Sequence, residues 1–97
     1  MSRPVHWSAA AADHVAAIAR FIGRTSPIYA ERIVDRLLAR AAELQEFPER
    51  GRQVPEAKDN QVREVFEGPY RVIYLVQESR VDILAVVHGR QQLGWPE

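Results

Sequence analysis

The sequence predicts an α+β fold in which a helical hairpin packs on one face of a mainly antiparallel sheet, in the order β-α-α-β-β-β. Two observations predict it. Apolar side chains recur with a period near 3.6 over residues 9–47, which is typical of amphipathic helices. Residues 61–88 instead hold three runs rich in Val, Ile and Tyr, separated by short turns. The length of 97 residues suits a single domain, spanning residues 1–97.

The first elements are a short strand and a helix. In residues 3–7, Val5 and Trp7 alternate with polar neighbours, which predicts a strand whose pairing partner the sequence leaves open. Ser8 then has the residue type of an N-cap for a helix over about 9–23. The apolar face of this helix is formed by Val15, Ile18, Ala19 and Ile22.

A second helix is predicted to begin almost immediately. Ser26 is its expected N-cap, Pro27 suits the first helical position, and Pro48 ends it. Because the break is short, the two helices should form an antiparallel hairpin. The apolar face of the second helix holds Ile33, Val34, Leu37, Leu38, Ala41 and Leu44.

Three strands are predicted after a charged loop over residues 48–60, at about 61–67, 70–77 and 80–88. Simple alternation assigns Ile83, Ala85 and Val87 to one face of the last strand and Leu84 and Val86 to the other. Both faces are therefore apolar, whereas the hairpin can cover only one. The other face must also be covered, at least in part, and this mismatch predicts a protein partner.

Composition excludes several classes of protein. The 13 basic and 13 acidic residues cancel, and a neutral domain is a poor general nucleic-acid binder. Cysteine is absent, which removes disulfides and thiolate chemistry. No segment has the length and apolarity of a membrane span, and the N-terminus lacks the apolar core of a secretory signal. We expect a soluble, cytoplasmic protein without a cofactor, and the three histidines show no metal-binding spacing.

Two arginines interrupt the strands beside the Gly68-Pro69 turn. If that turn closes a hairpin, Arg63 and Arg71 should face each other or lie diagonally across it. They would then form a site for phosphate or for a partner's carboxylate. The alternative is that each pairs with a nearby acid, such as Glu64, Glu67 or Asp82, on a solvated face.

Three other features each allow two interpretations. His88 has the chemistry of an acid–base group but also suits a strand-end residue bonded to backbone. Trp95, in the apolar tail, either folds back onto the helices or contacts a partner. On the second helix, Arg32, Arg36 and Arg40 form either a basic stripe or a face compensated by neighbouring acids.

Several segments, taken in order, resemble the ParE/RelE superfamily of small bacterial toxins. They are FPERGRQVPE at 47–56, VRE at 62–64, GPYRVIY at 68–74 and DILAVVHGR at 82–90, together with the second helix. The resemblance covers nearly the whole chain. It implies the fold predicted above and a cognate antitoxin that silences the chain by forming a hetero-oligomer with it.

The resemblance also implies a choice between two targets. RelE-like members are ribosome-dependent mRNA endonucleases, and ParE-like members poison DNA gyrase. Arg71 lies where a RelE-like phosphate-binding arginine lies, but Val62 and Glu64 stand where such enzymes carry lysines. No tyrosine follows Arg90. The chain is therefore interpreted as a ParE-like gyrase inhibitor without catalytic residues; the alternatives are a RelE-like endonuclease, an inactive antitoxin-binding relative, or a scaffold.

Under this interpretation, two sets of residues are candidates for contact with partners. The candidates for contact with the target or a partner are Arg63, Arg71, His88, Arg90 and Trp95. The candidates for the antitoxin groove, chosen as apolar anchors, are Ile18, Ile22, Leu37 and Leu75.

Overall fold

The computed structural model describes residues 2–89, and within them the predicted order of elements is confirmed, with one extra strand. A single 3-10 turn, Glu43–Gln45, follows the second helix. The extra strand, Arg52–Gln53, lies in the loop where the sequence predicts no regular structure. The elements are β1 Val5–Trp7, α1 Ala9–Gly23, α2 Pro27–Ala42, β2 Arg52–Gln53, β3 Val62–Glu67, β4 Tyr70–Val76 and β5 Val81–His88.

Both helices begin at the predicted serine caps. Ser8 Oγ accepts a hydrogen bond from Ala11 N at 3.0 Å, and Ser26 Oγ accepts one from Tyr29 N at 3.1 Å. Each bond satisfies an amide that has no partner inside the first helical turn. The α-helical part of α2 ends at Ala42, earlier than Pro48, because the chain tightens there into the 3-10 turn.

The five strands form one mixed sheet in the order β1-β5-β4-β3-β2. β1 runs parallel to β5, and the other neighbours are antiparallel. The parallel pairing follows from topology, since the helical hairpin carries the chain back between β1 and the later strands. The first strand therefore lies at an edge of the sheet, beside its last strand.

The main core lies between the helices and one face of the sheet. Leu37 and Leu44 meet Val72, Tyr74 and Ile83 there, and none of these five side chains is exposed. The predicted apolar face of α2 is therefore confirmed in its central positions. Leu38, which the sequence placed on that face, is 46% exposed.

A bulge in β5 changes which residues face the helices. Ile73 pairs with Ala85 while the next residue, Tyr74, pairs with Ile83, so Leu84 is the extra residue. Ile83 and Val86 both face the helices, whereas Ala85 packs on the opposite face. The alternation predicted for β5 is thus wrong beyond Ile83, because a bulge shifts the period by one residue.

The opposite face of the sheet, called the far face here, is partly covered by the chain itself. Residues 50–60, called the strap, cross it, and the strap residue Val54 is buried against Val62, Ile73 and Val87. The cover that the sequence requires on this face is therefore supplied at its centre by the chain itself. Leu75, Leu84 and Ala85 remain half-buried around this second cluster.

None of the helices within residues 2–89 has both the length and the apolar character needed to cross a lipid bilayer.

Candidate functional site

A buried ion pair lies on the far face at the centre of the sheet. Across the β3–β4 ladder, Arg71 pairs with Phe66 and Glu64 pairs with Ile73. Glu64 and Phe66 are two residues apart in β3, so they lie on one face of the sheet. Glu64 and Arg71 are therefore diagonal neighbours on that face. Arg71 Nε donates to Glu64 Oε1 at 2.7 Å. Glu64 is 1% exposed and Arg71 is 5% exposed. A charged pair this deeply buried persists only when each charge is compensated.

Two residues of the strap, Glu56 and Arg52, compensate the charges of this buried pair. Glu56 accepts two hydrogen bonds from Arg71, from Nη1 and Nη2, each at 3.1 Å, in the paired geometry that suits a guanidinium. Arg52 Nε contacts the other Glu64 oxygen, Oε2, at 2.5 Å, and its side chain is 62% exposed. Arg52, Glu56, Glu64 and Arg71, called the charge network here, carry two positive and two negative charges.

The bond between Glu56 and Arg71 shifts the pKa of each of these two groups toward its charged form. Hydrogen bonding from Arg71 lowers the pKa of Glu56, while partial burial opposes the shift. Hydrogen bonding to Glu56 raises the pKa of Arg71, burial opposes it, and the bond to Glu64 adds to it. Glu56 and Arg71 are therefore held more firmly in their charged forms. The network joins the strap to the sheet, and it leaves the Arg71 guanidinium bound to two carboxylates.

Arg63 and Arg71 do not meet, so the predicted arginine pair is wrong. Arg63 pairs with Tyr74 and Arg71 pairs with Phe66, which puts the two arginines on opposite faces of the sheet. Positions 63 and 66 are three residues apart in β3, and alternate residues share a face. Arg63 instead donates from Nη1 to the carbonyl oxygen of Gly51 at 2.8 Å.

Tyr74 also holds the start of the strap, at Gly51. Gly51 N donates to the Tyr74 hydroxyl at 2.8 Å. A Cβ atom at position 51 would lie 2.4 Å from the Glu64 carbonyl oxygen, so only glycine lets the strap approach β3 this closely. Burial raises the pKa of the Tyr74 phenol, and the bond with Gly51 partly offsets the rise.

The remaining candidates for contact with a partner are His88, Arg90 and Trp95. His88 is exposed at the end of β5, where its ring lies edge-on to Tyr70 with 6.0 Å between ring centres. Arg90 and Trp95 lie outside the described residues. On α2, Arg40 contacts Glu43 at 3.2 Å and Glu67 at 3.3 Å, which supports the interpretation of a compensated face over that of a basic stripe at this position.

The four apolar candidates for the antitoxin groove do not form one groove. Ile18 and Ile22 are half-buried on the hairpin. Leu37 is fully buried in the main core, so its proposed role as an exposed anchor is wrong. Leu75 lies on the far face, with the sheet between it and the two isoleucines.

The residues that sequence reasoning missed are Arg52, Glu56 and Tyr74. Their signal in the sequence was indirect. Glu64 lies two residues after the buried Val62 and therefore on the same face of the strand. A carboxylate at such a position requires a cation nearby. Arg71 was the obvious cation, but nothing local indicated that the strap would supply Glu56 as a second acid.

The comparisons with known proteins agree on the superfamily, and both ParE and RelE appear among the names that match. Residues 5–93 match the family model described as ParE toxin of type II toxin–antitoxin system, parDE. A curated protein named Toxin RelE2, from Caulobacter vibrioides, is 36% identical over 86 residues, which cover 88% of this chain and 93% of that protein.

Two solved structures share the fold. One is described as the chromosomal ParDE TA system from P. aeruginosa, with a TM-score of 0.74, 20% identity, and coverage of 90% of this chain and 96% of that one. The other is the toxin–antitoxin complex RelBE2 from Mycobacterium tuberculosis, with a TM-score of 0.66, 21% identity, and coverage of 91% and 99%. The chain therefore belongs to the ParE toxin family of type II toxin–antitoxin systems, within the ParE/RelE superfamily.

Proposed function

We propose that the chain arrests growth by binding DNA gyrase through protein–protein contact, without chemistry of its own. The observation that carries this proposal is the state of Arg71, which is bound to Glu56 and Glu64 and is 5% exposed. A phosphate approaching that arginine would have to displace one carboxylate and lie beside the other. Electrostatic repulsion opposes both steps, and the match to the ParE family model supports the same target class.

The end of the sheet is the proposed gyrase contact. Phe66 is 44% exposed, and its ring lies under Arg52 with 5.6 Å between the guanidinium carbon and the ring centre. His88 is exposed at the same end, beside the β3–β4 turn. Arginine and aromatic side chains often dominate interfaces. Arg71 is too buried for direct contact and is no longer a candidate.

A supercoiling assay tests the target with a matched control. The free chain should block gyrase, and Phe66→Ala should weaken the block. Phe47→Ala is the control, since Phe47 is 59% exposed and also packs under an arginine, Arg50, at 5.4 Å, but in a different part of the chain. Gyrase that keeps full activity in a stoichiometric excess of the folded chain would refute the proposal.

A RelE-like endonuclease is the second candidate, and the name of the C. vibrioides relative favours it. Primer extension on mRNA from translating ribosomes distinguishes the two functions. We expect no cleavage that depends on the chain. Discrete cuts within codons that disappear in Arg71→Ala, with the variant still folded, would establish the endonuclease instead.

A cognate antitoxin is the proposed partner, because the similar solved structures are described as a ParDE system and as a toxin–antitoxin complex. Ile18 and Ile22 are the proposed anchors, since both are partly accessible on the hairpin. Ile18→Glu should weaken capture of the protein encoded beside this chain. Glu31→Lys, an exposed change on α2, is the control, and equal capture by both variants would remove Ile18 from the interface.

A further inference from the structure

Part of the edge of β5 is held by helix α1 instead of a strand. β1 pairs with β5 only as far as Ile83. Beyond that point Ser8, which caps α1, donates from Oγ to the Leu84 carbonyl oxygen at 3.3 Å. Further along the helix, His14 Nδ1 accepts a hydrogen bond from Val86 N at 3.2 Å. Side chains of the helix start and of α1 thus supply the hydrogen-bond partners that a neighbouring strand supplies elsewhere in the sheet.

The bond between His14 and Val86, called the latch here, specifies the protonation state of the imidazole. A backbone N–H can only donate, so Nδ1 of His14 must offer a lone pair and the ring proton must be on Nε2. An imidazolium carries a proton on both nitrogens and cannot accept a hydrogen bond. The latch therefore exists only while His14 is neutral.

The Val86 amide depends on the latch because it has little access to water. Val86 is 2% exposed, and its N–H is directed to the helix and not to a strand. A buried N–H that loses its acceptor needs another partner, and solvent water is the available one. Water reaches this amide only if α1 and β5 separate locally.

A second histidine shares a hollow with His14. The hollow has a volume of about 310 Å³, lies between α1 and the ends of β4 and β5, and is lined by both His14 and His88. Histidine side chains ordinarily gain a proton as the pH falls from about 8 to about 5. Two imidazolium charges, one on α1 and one on β5, repel each other and so oppose the contact that the latch makes. Tyr70 of β4 also lines the hollow, and burial raises the pKa of its phenol, so it stays neutral over this range.

The carboxylates of the neighbouring elements face other directions. Asp13 is adjacent to His14 on α1 and exposed, and adjacent helical residues do not face each other. Asp82, the acid of β5, lies between Val81 and Ile83, which face the helices, so it is on the far face. The residues that α2 buries are all apolar: Ala30, Ile33, Leu37 and Ala41. Within residues 2–89, no carboxylate lines the hollow to stabilise an imidazolium there.

We propose that the latch is an acid-sensitive switch: protonation of His14 releases the Val86 amide and opens the edge between α1 and β5. The closed edge is present at neutral and alkaline pH and is lost as the pH falls through the range in which histidine gains a proton, about 8 to 5. This range lies above that of Glu56, whose pKa is lowered from 4.5, so the two responses to acid are separate. The inference concerns the chain alone and does not depend on the identity of its target or antitoxin.

NMR of the full chain tests the protonation state and the opening together. At about pH 8, the nitrogen chemical shifts of the His14 ring should show a proton on Nε2 and none on Nδ1; at about pH 5 both nitrogens should carry one. Over the same range the Val86 amide should lose protection against hydrogen exchange, after correction for the intrinsic effect of pH. The expected loss is roughly fivefold or more, the factor that corresponds to one hydrogen bond.

Three variants assign the response to one histidine. In His14→Asn, the side-chain oxygen lies as many bonds from the backbone as Nδ1 of histidine, and it accepts a hydrogen bond without gaining a proton in this range. Val86 should then stay protected at both pH values. His6→Asn is the control, because His6 is exposed on β1 and does not line the hollow, and it should keep the full response. His88→Asn should also keep a response, since the latch itself rests on His14.

Three results would overturn the inference. The first is a His14 ring that carries its proton on Nδ1 at about pH 8 in the unaltered chain. The second is equal protection of the Val86 amide at both pH values. The third is a response to pH that persists in His14→Asn. The first two need no variant, so they decide the matter even if a substitution unfolds the chain, which circular dichroism detects.

Discussion

Arg71 Nε lies 2.7 Å from Glu64 Oε1 in the interior of the far face, where neither side chain is appreciably exposed. The pair joins adjacent strands, and through Glu56 and Arg52 it also joins the strap to the sheet. The arginine that the resemblance placed at a phosphate-binding position therefore has a structural role here.

Removing the carboxylate of Glu64 should destabilise the fold strongly. In Glu64→Ala, Arg71 stays buried with one acid instead of two. Loss of one partner from a buried pair typically costs about 3–5 kcal/mol, and we expect the lower end because Glu56 remains. Urea unfolding measures the change. Glu46→Ala, an exposed change, is the control and should stay within about 0.5 kcal/mol of the unaltered chain. Equal stability of the two variants would contradict the role given to Glu64.

The bond between Glu56 and Arg71 should make stability depend on acid pH. Arg71 lowers the pKa of Glu56 below its ordinary value of 4.5, so folding favours the ionised form. This contribution is present above pH 4.5 and is lost as the pH falls through the lowered pKa. The stability difference between the unaltered chain and Glu56→Gln, measured by urea unfolding, should therefore shrink on acidification. A difference that stays constant from neutral to acid pH would exclude this linkage.

Tyr74→Phe should cost stability and also change the response to alkali. The substitution leaves Gly51 N without the hydroxyl that accepts its bond at 2.8 Å, and a buried unsatisfied group costs about 1–3 kcal/mol. Burial raises the pKa of Tyr74 above 10.0, so stability from its neutral form is present below that pH and is lost as the pH rises further. Thermal melts should show a smaller alkaline loss in the variant, though Tyr70 retains its own raised pKa. Identical alkaline profiles would argue against the buried phenol.

The bulge in β5 predicts that alanine substitution costs different amounts of stability at two adjacent residues. Ile83 is fully buried against the helices, and Ile83→Ala should cost about 2–5 kcal/mol. Leu84 is the extra, half-buried residue on the far face, so Leu84→Ala should cost less. Denaturant unfolding of the two variants checks the difference. A larger loss at Leu84 than at Ile83 would mean that the bulge is misplaced.

Patterns local to the chain were enough to predict most of the secondary structure. Ser8 and Ser26 marked both helix starts because capping depends on residues within one turn of each other. The strand meander was predicted because three runs rich in Val, Ile and Tyr are separated by short turns. The segments that resemble the toxin superfamily, taken in their order along the chain, predicted the family.

The sequence by itself thus determined the α+β class, the order of the elements, the helix caps and the family. Tertiary structure alone decided that Leu84 is the extra residue, that Arg63 and Arg71 point away from each other, and that the strap covers the far face. The physical reason is the same in each case. Strand register and the partner of a buried charge are set by contacts between residues far apart in sequence, such as Glu56 with Arg71 and Gly51 with Tyr74, and a local pattern carries no information about which distant residue will make the contact.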